Sequence, residues 1–548
     1  MPRSDRSSPD RPRPDRPNFV LIMTDQQRAD HLGCYGNGIV RTPHIDSIAA
    51  RGLAFDRFYV ASPICMPNRA TIMTGKMPSA NGVPTNGLPL PLESTTFVDL
   101  LRADGYRTAL AGKCHLQNMM PIPVDASNYP PPAPGRPPPA ALAESLRRPV
   151  SGPGYDAEMN DLWIADPDRA MPSPYYGFDD VRLVIRHADD TQGHHTRWLL
   201  QRTNDPDALR GPENALDRGT ITAPQAWRTR MPEELYSTSY IREAGIELLD
   251  DFARTPDRPF FLQYSFTDPH HPFTPPGRYW DMYDPDNIPV PASHGAEHLD
   301  PSALWRRFHR DLEDGVARRE HVHPYALSAR EARESIALTY GMISMIDDAV
   351  GALVARLDAL GLADNTVLIF TTDHGDLMGD HGLMLKHGFH YEGLIRVPFI
   401  WSEPDGGAAG GTGGRSDLLS GSIDIGATVL GRAGLAPPNG NRGFDLMAAA
   451  RDGTPVRDAL LVEEEDLPVN SNIERYTRLR TLVTGRWRLT FWDGDRLGEL
   501  FDREADPLEL RNLWNDPAAQ GVKAELLEQM LRETLRHQDM GPKAEYCA

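Results

Sequence analysis

Cysteine is scarce: four residues in 548, Cys34, Cys65, Cys114 and Cys547, none at metal-knuckle spacing. Neither a disulfide scaffold nor a zinc finger is indicated. No apolar run approaches the ~20 residues a membrane helix requires, which sets aside a membrane-spanning reading. Basic charge is in deficit, with a formal net charge of −20, so no nucleic-acid partner is expected. An anionic substrate would then need a local pocket of Lys, Arg, His and metal. Met1 to Pro17, rich in Arg, Asp, Ser and Pro, lacks the apolar core of a secretory signal. It is read as a disordered tail, and the protein is expected to be cytoplasmic.

What is present suggests an α/β enzyme. The length favours two or more units, and we expect a catalytic domain over 18–453 followed by a smaller subdomain and tail over 454–548. Asn18 to Thr24 is a short apolar run ending in Asp25, as for a buried parallel strand with an acid at its tip. The pattern returns at Thr366 to Thr372, which runs into Asp373-His374-Gly375-Asp376. Ligands of open α/β sheets gather at such tips. Helices are expected over His44 to Arg51, Phe97 to Ala103 and about Ala329 to Leu360, and strands over Tyr106 to Ala111 and Pro259 to Phe266. This alternation predicts a mostly parallel sheet flanked by helices.

Pro121 to Pro153 is too proline-rich for helix or central strand and reads as a surface insertion. Asn204 to Pro232 reads as irregular and Gly406 to Gly414 as a loop. Thr477 to Thr484, Arg486 to Trp492 and Gly498 to Phe501 read as antiparallel strands, followed by a helix over Lys523 to Arg536. They predict a small α+β subdomain containing an antiparallel sheet.

The chemistry concentrates in a few blocks. Asp25 and Asp373-His374 offer carboxylate oxygens and an imidazole to a divalent cation such as Mn²⁺ or Ca²⁺. Gly112-Lys113-Cys114-His115 follows a predicted strand, and Lys113 and His115 would share one side of an extended backbone. Asp268-Pro269-His270-His271-Pro272 is a proline-bracketed loop able to hold an imidazole where a leaving oxygen is protonated. Lys386 adds a cation. His194 and His195, in Gly193 to Trp198, are read as rim or structural residues.

Cys65-Met66-Pro67-Asn68-Arg69 resembles the signature read by the formylglycine-generating enzyme in type I sulfatases. A formylglycine hydrate offers one oxygen for attack and a second whose deprotonation expels the bound group. With Thr24-Asp25-Gln26, Thr74-Gly75-Lys76, Gly112 to His115, Pro269 to Pro272, Asp373 to Asp376, Tyr391 to Pro398 and the C-terminal block Gly498 to Leu513, the chain resembles formylglycine sulfatases of the alkaline-phosphatase superfamily.

The resemblance implies that fold and a set of roles. Asp25, Gln26, Asp373, His374 and oxidised Cys65 would hold the metal, with Cys65 also the nucleophile. Arg69 would hold the formylglycine, Lys113 would bridge it to the transferred group, and His115 would steady the diol. His270 would protonate the departing alcohol, Lys386 would bind a nonbridging oxygen, and Asn86 and His271 would contact substrate. The implied partners are a small anionic sulfate ester and the formylglycine-generating enzyme, with no membrane. The tail Gly541 to Ala548 leaves a homo-oligomer open.

Gln26 stands where many sulfatases have a second Asp, and His374 where many have Asn. Both features resemble phosphonate monoester hydrolases and choline sulfatases, whereas Lys113 and His115 match the sulfatase pattern. The first reading is therefore sulfate monoester hydrolysis. The alternatives are phosphonate monoester or phosphodiester hydrolysis with the same nucleophile, and a catalytically silent metal-binding relative with Cys65 unmodified.

Overall fold

The Asn18–Thr24 strand is buried along its whole length because it lies at the centre of a nine-stranded sheet. The sheet order is Gly414–Ser416, Leu53–Phe55, Phe399–Ser402, Thr366–Thr372, Asn18–Thr24, Phe260–Ser265, Arg107–Gly112, Asp180–Ile185 and Gln192–Gly193. The five strands from Thr366–Thr372 to Asp180–Ile185 are mutually parallel. Phe399–Ser402 and Gln192–Gly193 run antiparallel to their neighbours. The computed structural model describes residues 16–121, 135, 139, 149–320, 322, 324–404, 413–466, 477–493, 498–539 and 541. Residues 1–15 of the expected N-terminal tail, most of the proline-rich stretch and most of the glycine-rich one lie outside the described residues, as does nearly all of the C-terminal tail. Arg16 pairs with Asp104 at 2.7 Å.

Alternate residues of each central strand enter opposite cores, which is why these segments read as unbroken apolar runs. Phe19, Leu21, Met23, Val367 and Ile369 join one core, covered by the helices Cys65–Thr74, Phe97–Ala103 and Ile425–Arg432. Val20, Ile22, Leu368 and Phe370 join the other, beneath Pro43–Arg51, Ser237–Ala253 and Ala329–Ala359. Ala329–Ala359 opens on a capping box, Ser328 and Glu331 each accepting the other's backbone N–H. Contrary to the sequence expectation, it contains an 18-residue window apolar enough to cross a membrane, with mean hydropathy 1.3. That window is 89% buried inside the protein, which makes it a core helix.

The C-terminal sheet is an antiparallel meander of Ala459–Asp466, Thr477–Thr484, Trp487–Trp492 and Gly498–Asp502. Helix Gln520–His537 packs Leu526 and Met530 against Leu461, Leu482, Leu489 and Leu500. The sequence reading missed its first strand because the run Glu463 to Glu465 looks solvated. All three glutamates are buried, each with a partner: Glu463 accepts from Ser79, Glu464 from Gly388, and Glu465 from Arg480. The glycine-rich loop also ends earlier than expected, since Gly414 pairs with Leu53 in the main sheet.

At the end of the Arg107–Gly112 strand, Gly112 has φ +112°, and a Cβ there would overlap the Ser265 carbonyl oxygen. Gly105 has φ +92° with open space around it. A left-handed backbone costs a residue with a Cβ roughly 1–2 kcal/mol, so Gly105→Ala should lower the urea midpoint modestly and Gly112→Ala clearly more. Equal shifts would show that backbone conformation, and not the approach to Ser265, sets the requirement for glycine.

Candidate active site

All five parallel strands deliver a polar side chain to one end of the sheet. Asp25 follows Asn18–Thr24, Asp373 and His374 follow Thr366–Thr372, and Lys113 follows Arg107–Gly112. His187 lies just beyond Asp180–Ile185, and His270 in the loop after Phe260–Ser265. Met23 and Gly112 are both in register with Ser265, and Thr24 with Thr372, so the central tips are level.

Cys65 is the first residue of the Cys65–Thr74 helix, all ten residues of which are buried. Ile64 supplies no side-chain cap, and Asn86 serves instead, its Oδ1 accepting from Met66 N at 3.1 Å. The helix N-terminus adds partial positive charge beside Cys65. Arg69, one turn on, lies on the same face. It donates through Nε to Asp373 Oδ2 at 2.8 Å and through NH1 to the Lys113 carbonyl at 3.0 Å, with NH2 3.5 Å from Asp25 Oδ2. Asn68 donates to the Asp373 carbonyl at 2.5 Å and accepts from Ala61 N and Ser422 Oγ, fixing the helix to the loop that follows Thr366–Thr372.

Around Cys65 Sγ lie His374 Nε2 at 3.1 Å, Lys386 Nζ at 3.2 Å and Asp25 Oδ1 at 3.9 Å. Burial pushes the thiol's pKa up, but Lys386, His374 and Lys113 outweigh burial and Asp25, and the net shift is downward. Burial likewise opposes ionisation of Asp25; Lys113, His270, His187 and Arg69 overcome it and hold the carboxyl well below its usual range. Lys113 Nζ pairs with Asp25 Oδ2 and lies 2.7 Å from His187 Nε2.

Asp25, Cys65, Asp373 and His374 can direct one ligand atom each to a common point, with these atoms within 4.8 Å of one another. His374 Nδ1 donates to the Gly375 carbonyl at 2.8 Å, which turns Nε2 toward Asp25 and Asp373, each 3.7 Å away. Two carboxylates, an imidazole lone pair and a sulfur or oxygen at position 65 fit a divalent cation. Gln26 borders this set with its amide engaged on both atoms: Oε1 accepts from Lys386 at 3.1 Å, and Nε2 donates to Asp376 Oδ2 at 2.5 Å and lies 3.1 Å from His271 Nδ1.

His270 Nδ1 bonds to the His271 carbonyl at 2.5 Å, so Nε2 is the acceptor facing Lys386 Nζ at 3.2 Å. Burial, with His187, His271 and Lys386 nearby, pushes its pKa well down. His115 is buried, its Nδ1 without a partner among the described residues, and burial with Lys113 and Arg69 nearby keeps it neutral. Here the extended backbone expected between Lys113 and His115 is not found. His115 has φ +57° and turns the chain.

Three residues that the sequence reading left without a role complete the cluster. Glu158 holds the turn: Oε2 accepts from His115 N at 2.7 Å, and Oε1 from Leu116 N, Gln117 N and the Tyr175 hydroxyl. Asp376 accepts from Met378 N and Leu385 N, closing the loop that ends at Lys386. His187 is stacked on His270, with ring centres 3.7 Å apart and planes 9° from parallel. Burial and Lys113 push its pKa down to about 3. His194 and His195 stand apart from the site: His194 Nδ1 accepts from Leu183 N, and His195 bridges Thr191 and the Leu235 carbonyl.

A sulfatase family model matches residues 17–129 and 150–435, and a second, described as N-sulphoglucosamine sulphohydrolase, C-terminal, matches 379–537. The chain belongs to the sulfatase family. Its family is one of sulfuric ester hydrolases. An arylsulfatase of Clostridium perfringens is 27% identical over 505 residues, covering 91% of this chain and 90% of its own. A multifunctional alkaline phosphatase superfamily protein of Trinickia caryophylli is 27% identical over 549 residues, covering 96% of each chain. The crystal structure of a phosphonate monoester hydrolase of Agrobacterium radiobacter shares the fold, with TM-score 0.71 and 24% identity over 96% of each chain.

Two measurements test this sulfatase cluster. Glu158→Ala orphans three backbone N–H groups at the His115 turn, each costing roughly 1–3 kcal/mol; kcat should fall at least tenfold, with Glu158→Gln, which keeps one acceptor oxygen, recovering part of the loss. Unchanged kcat in Glu158→Ala would show that the turn holds itself. Titrating Mn²⁺ or Ca²⁺ should raise the unfolding temperature, by about 2.7 kcal/mol of stabilisation at 100 times Kd. Asp373→Asn should abolish that response, and a persisting response would place the ion elsewhere.

Proposed function

We propose that this sulfatase hydrolyses sulfate monoesters of the arylsulfatase type at the strand-tip cluster, with Cys65 oxidised to formylglycine by a formylglycine-generating enzyme. The observation that carries this reading is the convergence of His374, Lys386 and Asp25 within 3.9 Å of Cys65 Sγ. The hydrated aldehyde supplies a nucleophilic oxygen that a thiol does not. A divalent ion, Ca²⁺ or Mn²⁺, held by Asp25, Asp373, His374 and residue 65 beside Gln26, supplies Lewis-acid stabilisation of negative charge.

The chain's own groups divide the remaining work. Arg69 pairs with Asp373 and Asp25 and keeps residue 65 in a fixed electropositive frame. Lys113 and Lys386 present ammonium groups to the oxygens of the transferred group, and fixed donors of this kind are commonly worth about 3 kcal/mol each. His270 Nε2 faces the Lys386 ammonium, which places a proton source beside the imidazole that serves the leaving oxygen. His115, buried and with Nδ1 unpartnered among the described residues, would steady the diol at residue 65. Asn86, which accepts from Met66 N, and His271, beside Gln26, would contact the substrate.

A second reading has its own support: Gln26 and His374 follow the phosphonate monoester hydrolase pattern, and the Agrobacterium radiobacter enzyme of that name shares the fold. Lys113 and His115 favour sulfate. The deciding experiment compares kcat/KM for an aryl sulfate and an aryl phosphonate monoester with the same leaving group, after mass analysis has found formylglycine at position 65. Sulfate should be preferred by at least tenfold, with Cys65→Ala inactive on both. A preference for phosphonate would move the protein to the second reading. Unmodified Cys65 after co-expression with the maturation enzyme, or turnover by Cys65→Ala, would remove the nucleophile from it.

A further inference from the structure

Lys386 stands at the foot of a hairpin whose tip is held from outside. Leu377 N donates to the Leu385 carbonyl at 2.9 Å and Gly379 N to the Leu383 carbonyl at 2.7 Å, while Asp376 accepts from Leu385 N at the base. One foot of the hairpin thus meets Gln26 through Asp376, and the other meets Cys65 through Lys386. Met378, His381 and Leu385 all adopt left-handed backbone, φ +41°, +56° and +69°, a conformation that persists only where surrounding structure demands it.

The demand comes from residues 293–309. Ser293 Oγ accepts from His381 N at 3.0 Å, and His294 Nδ1 donates to the Gly379 carbonyl at 3.2 Å. Trp305 Nε1 and His309 Nε2 both donate to the His381 carbonyl, at 3.0 and 2.9 Å. The His381 ring is stacked on Tyr391, with centres 3.6 Å apart, and its Nδ1 lies 2.8 Å from His298 Nε2. His298 Nδ1 lies 2.8 Å from the Ala296 carbonyl, which can only accept. Nδ1 of His298 therefore carries the proton, and its Nε2 accepts from His381.

A proton affects these three histidines differently. His294 and His309 donate to carbonyls and go on donating as imidazolium. His298 accepts, and a proton on its Nε2 sets N–H against N–H. It is half-buried, within reach of solvent protons. The groups around the pair are Asp506, His309 and the Trp305 ring beside His298, and Arg488, Arg28, His309 and the Tyr391 ring beside His381. Burial outweighs the Ala296 carbonyl and Asp506 and holds the His298 pKa below its usual value. The contact is thus intact above the ordinary histidine range and is lost as pH falls through that lowered pKa.

We propose that His298 is a positioning residue for Lys386: unprotonated, it latches the hairpin tip through His381, and on taking up a proton it lets the hairpin loosen and sulfuryl transfer slow. This rests on the sulfatase reading of the site, in which Lys386 binds an oxygen of the transferred group.

The test measures kcat and KM for an aryl sulfate from about pH 8 to about pH 5, with formylglycine-loaded wild type, His298→Gln, His298→Leu and His309→Gln. His298→Gln keeps an acceptor that does not titrate. At the acid end the wild type should fall about three- to tenfold in kcat relative to it, the worth of one hydrogen bond, with KM nearly unchanged. His298→Leu, which has no acceptor, should show that loss at every pH, and His309→Gln, still a donor, should keep the wild-type acid limb. Amide exchange gives a second readout. Corrected for the intrinsic effect of pH, the wild-type peptide spanning 377–385 should exchange faster at the acid end, and that of His298→Gln should not. Superimposable kcat profiles of wild type and His298→Gln, or wild-type exchange of that peptide without a pH response, overturn the proposal. Absence of wild-type turnover at any pH would instead overturn the sulfatase reading beneath it, with the exchange result still deciding whether His298 latches the hairpin.

Discussion

Mutual neutralisation of buried charge is the constraint on which the rest of this structure depends. Asp25 and Asp373 are fully buried, as is Lys113, and Arg69 is almost so. A charge taken out of water costs several kcal/mol unless a partner of opposite sign is held close. Asp25 is paired by Lys113 and approached by Arg69, and Asp373 by Arg69, so three strand tips and one helix each contribute to the same balance. No member can be withdrawn without stranding another, which is why chemistry and fold share one set of residues here.

Turns that carry these charges are themselves held by acids outside the chemistry. Glu158 gathers the N–H groups of the His115 turn, and Asp376 closes the loop before Lys386. From the C-terminal sheet, Glu464 reaches the same loop, accepting from Gly388 N at 2.8 Å and bonding His390 Nε2 at 2.9 Å. Arg488 lies buried between Glu499 and Glu509, and Glu509 in turn accepts from Glu392 N. The smaller sheet is therefore part of the site's frame, although none of its described side chains is hydrogen-bonded to Cys65. Carboxylates that accept backbone N–H groups are well suited to this work, because they fix main-chain geometry directly.

Legibility from the sequence followed physical distinctiveness. Asp25 and Asp373-His374 stood out because an acid directly after a short apolar run is a local pattern, and the structure brings them together with Cys65. The long Ala329–Ala359 helix was legible for a similar reason, its period extending over many turns. His187 carried no such signal: its strand is half exposed on one side, and the residues around it form no recurring motif. Glu158 acts across 43 residues of chain, beyond the proline-rich stretch, where local reading has no purchase. The Ala459–Asp466 strand went unread because its three consecutive glutamates break the apolar alternation, and they are buried only through partners elsewhere in the fold. The Lys113 to His115 segment failed on backbone conformation, since nothing in those residues announces a positive φ at a histidine.

The chain on either side of the proline-rich stretch is sewn together close to the protein body. Asn160 N donates to the Met119 carbonyl, Ala157 N to Gln117 Oε1, and Gln117 Nε2 to the Gly154 carbonyl. The two described flanks thus meet each other directly, without help from the stretch between them. The His115 turn is therefore braced from its own described flanks, through Gln117, Met119, Gly154, Ala157 and Asn160.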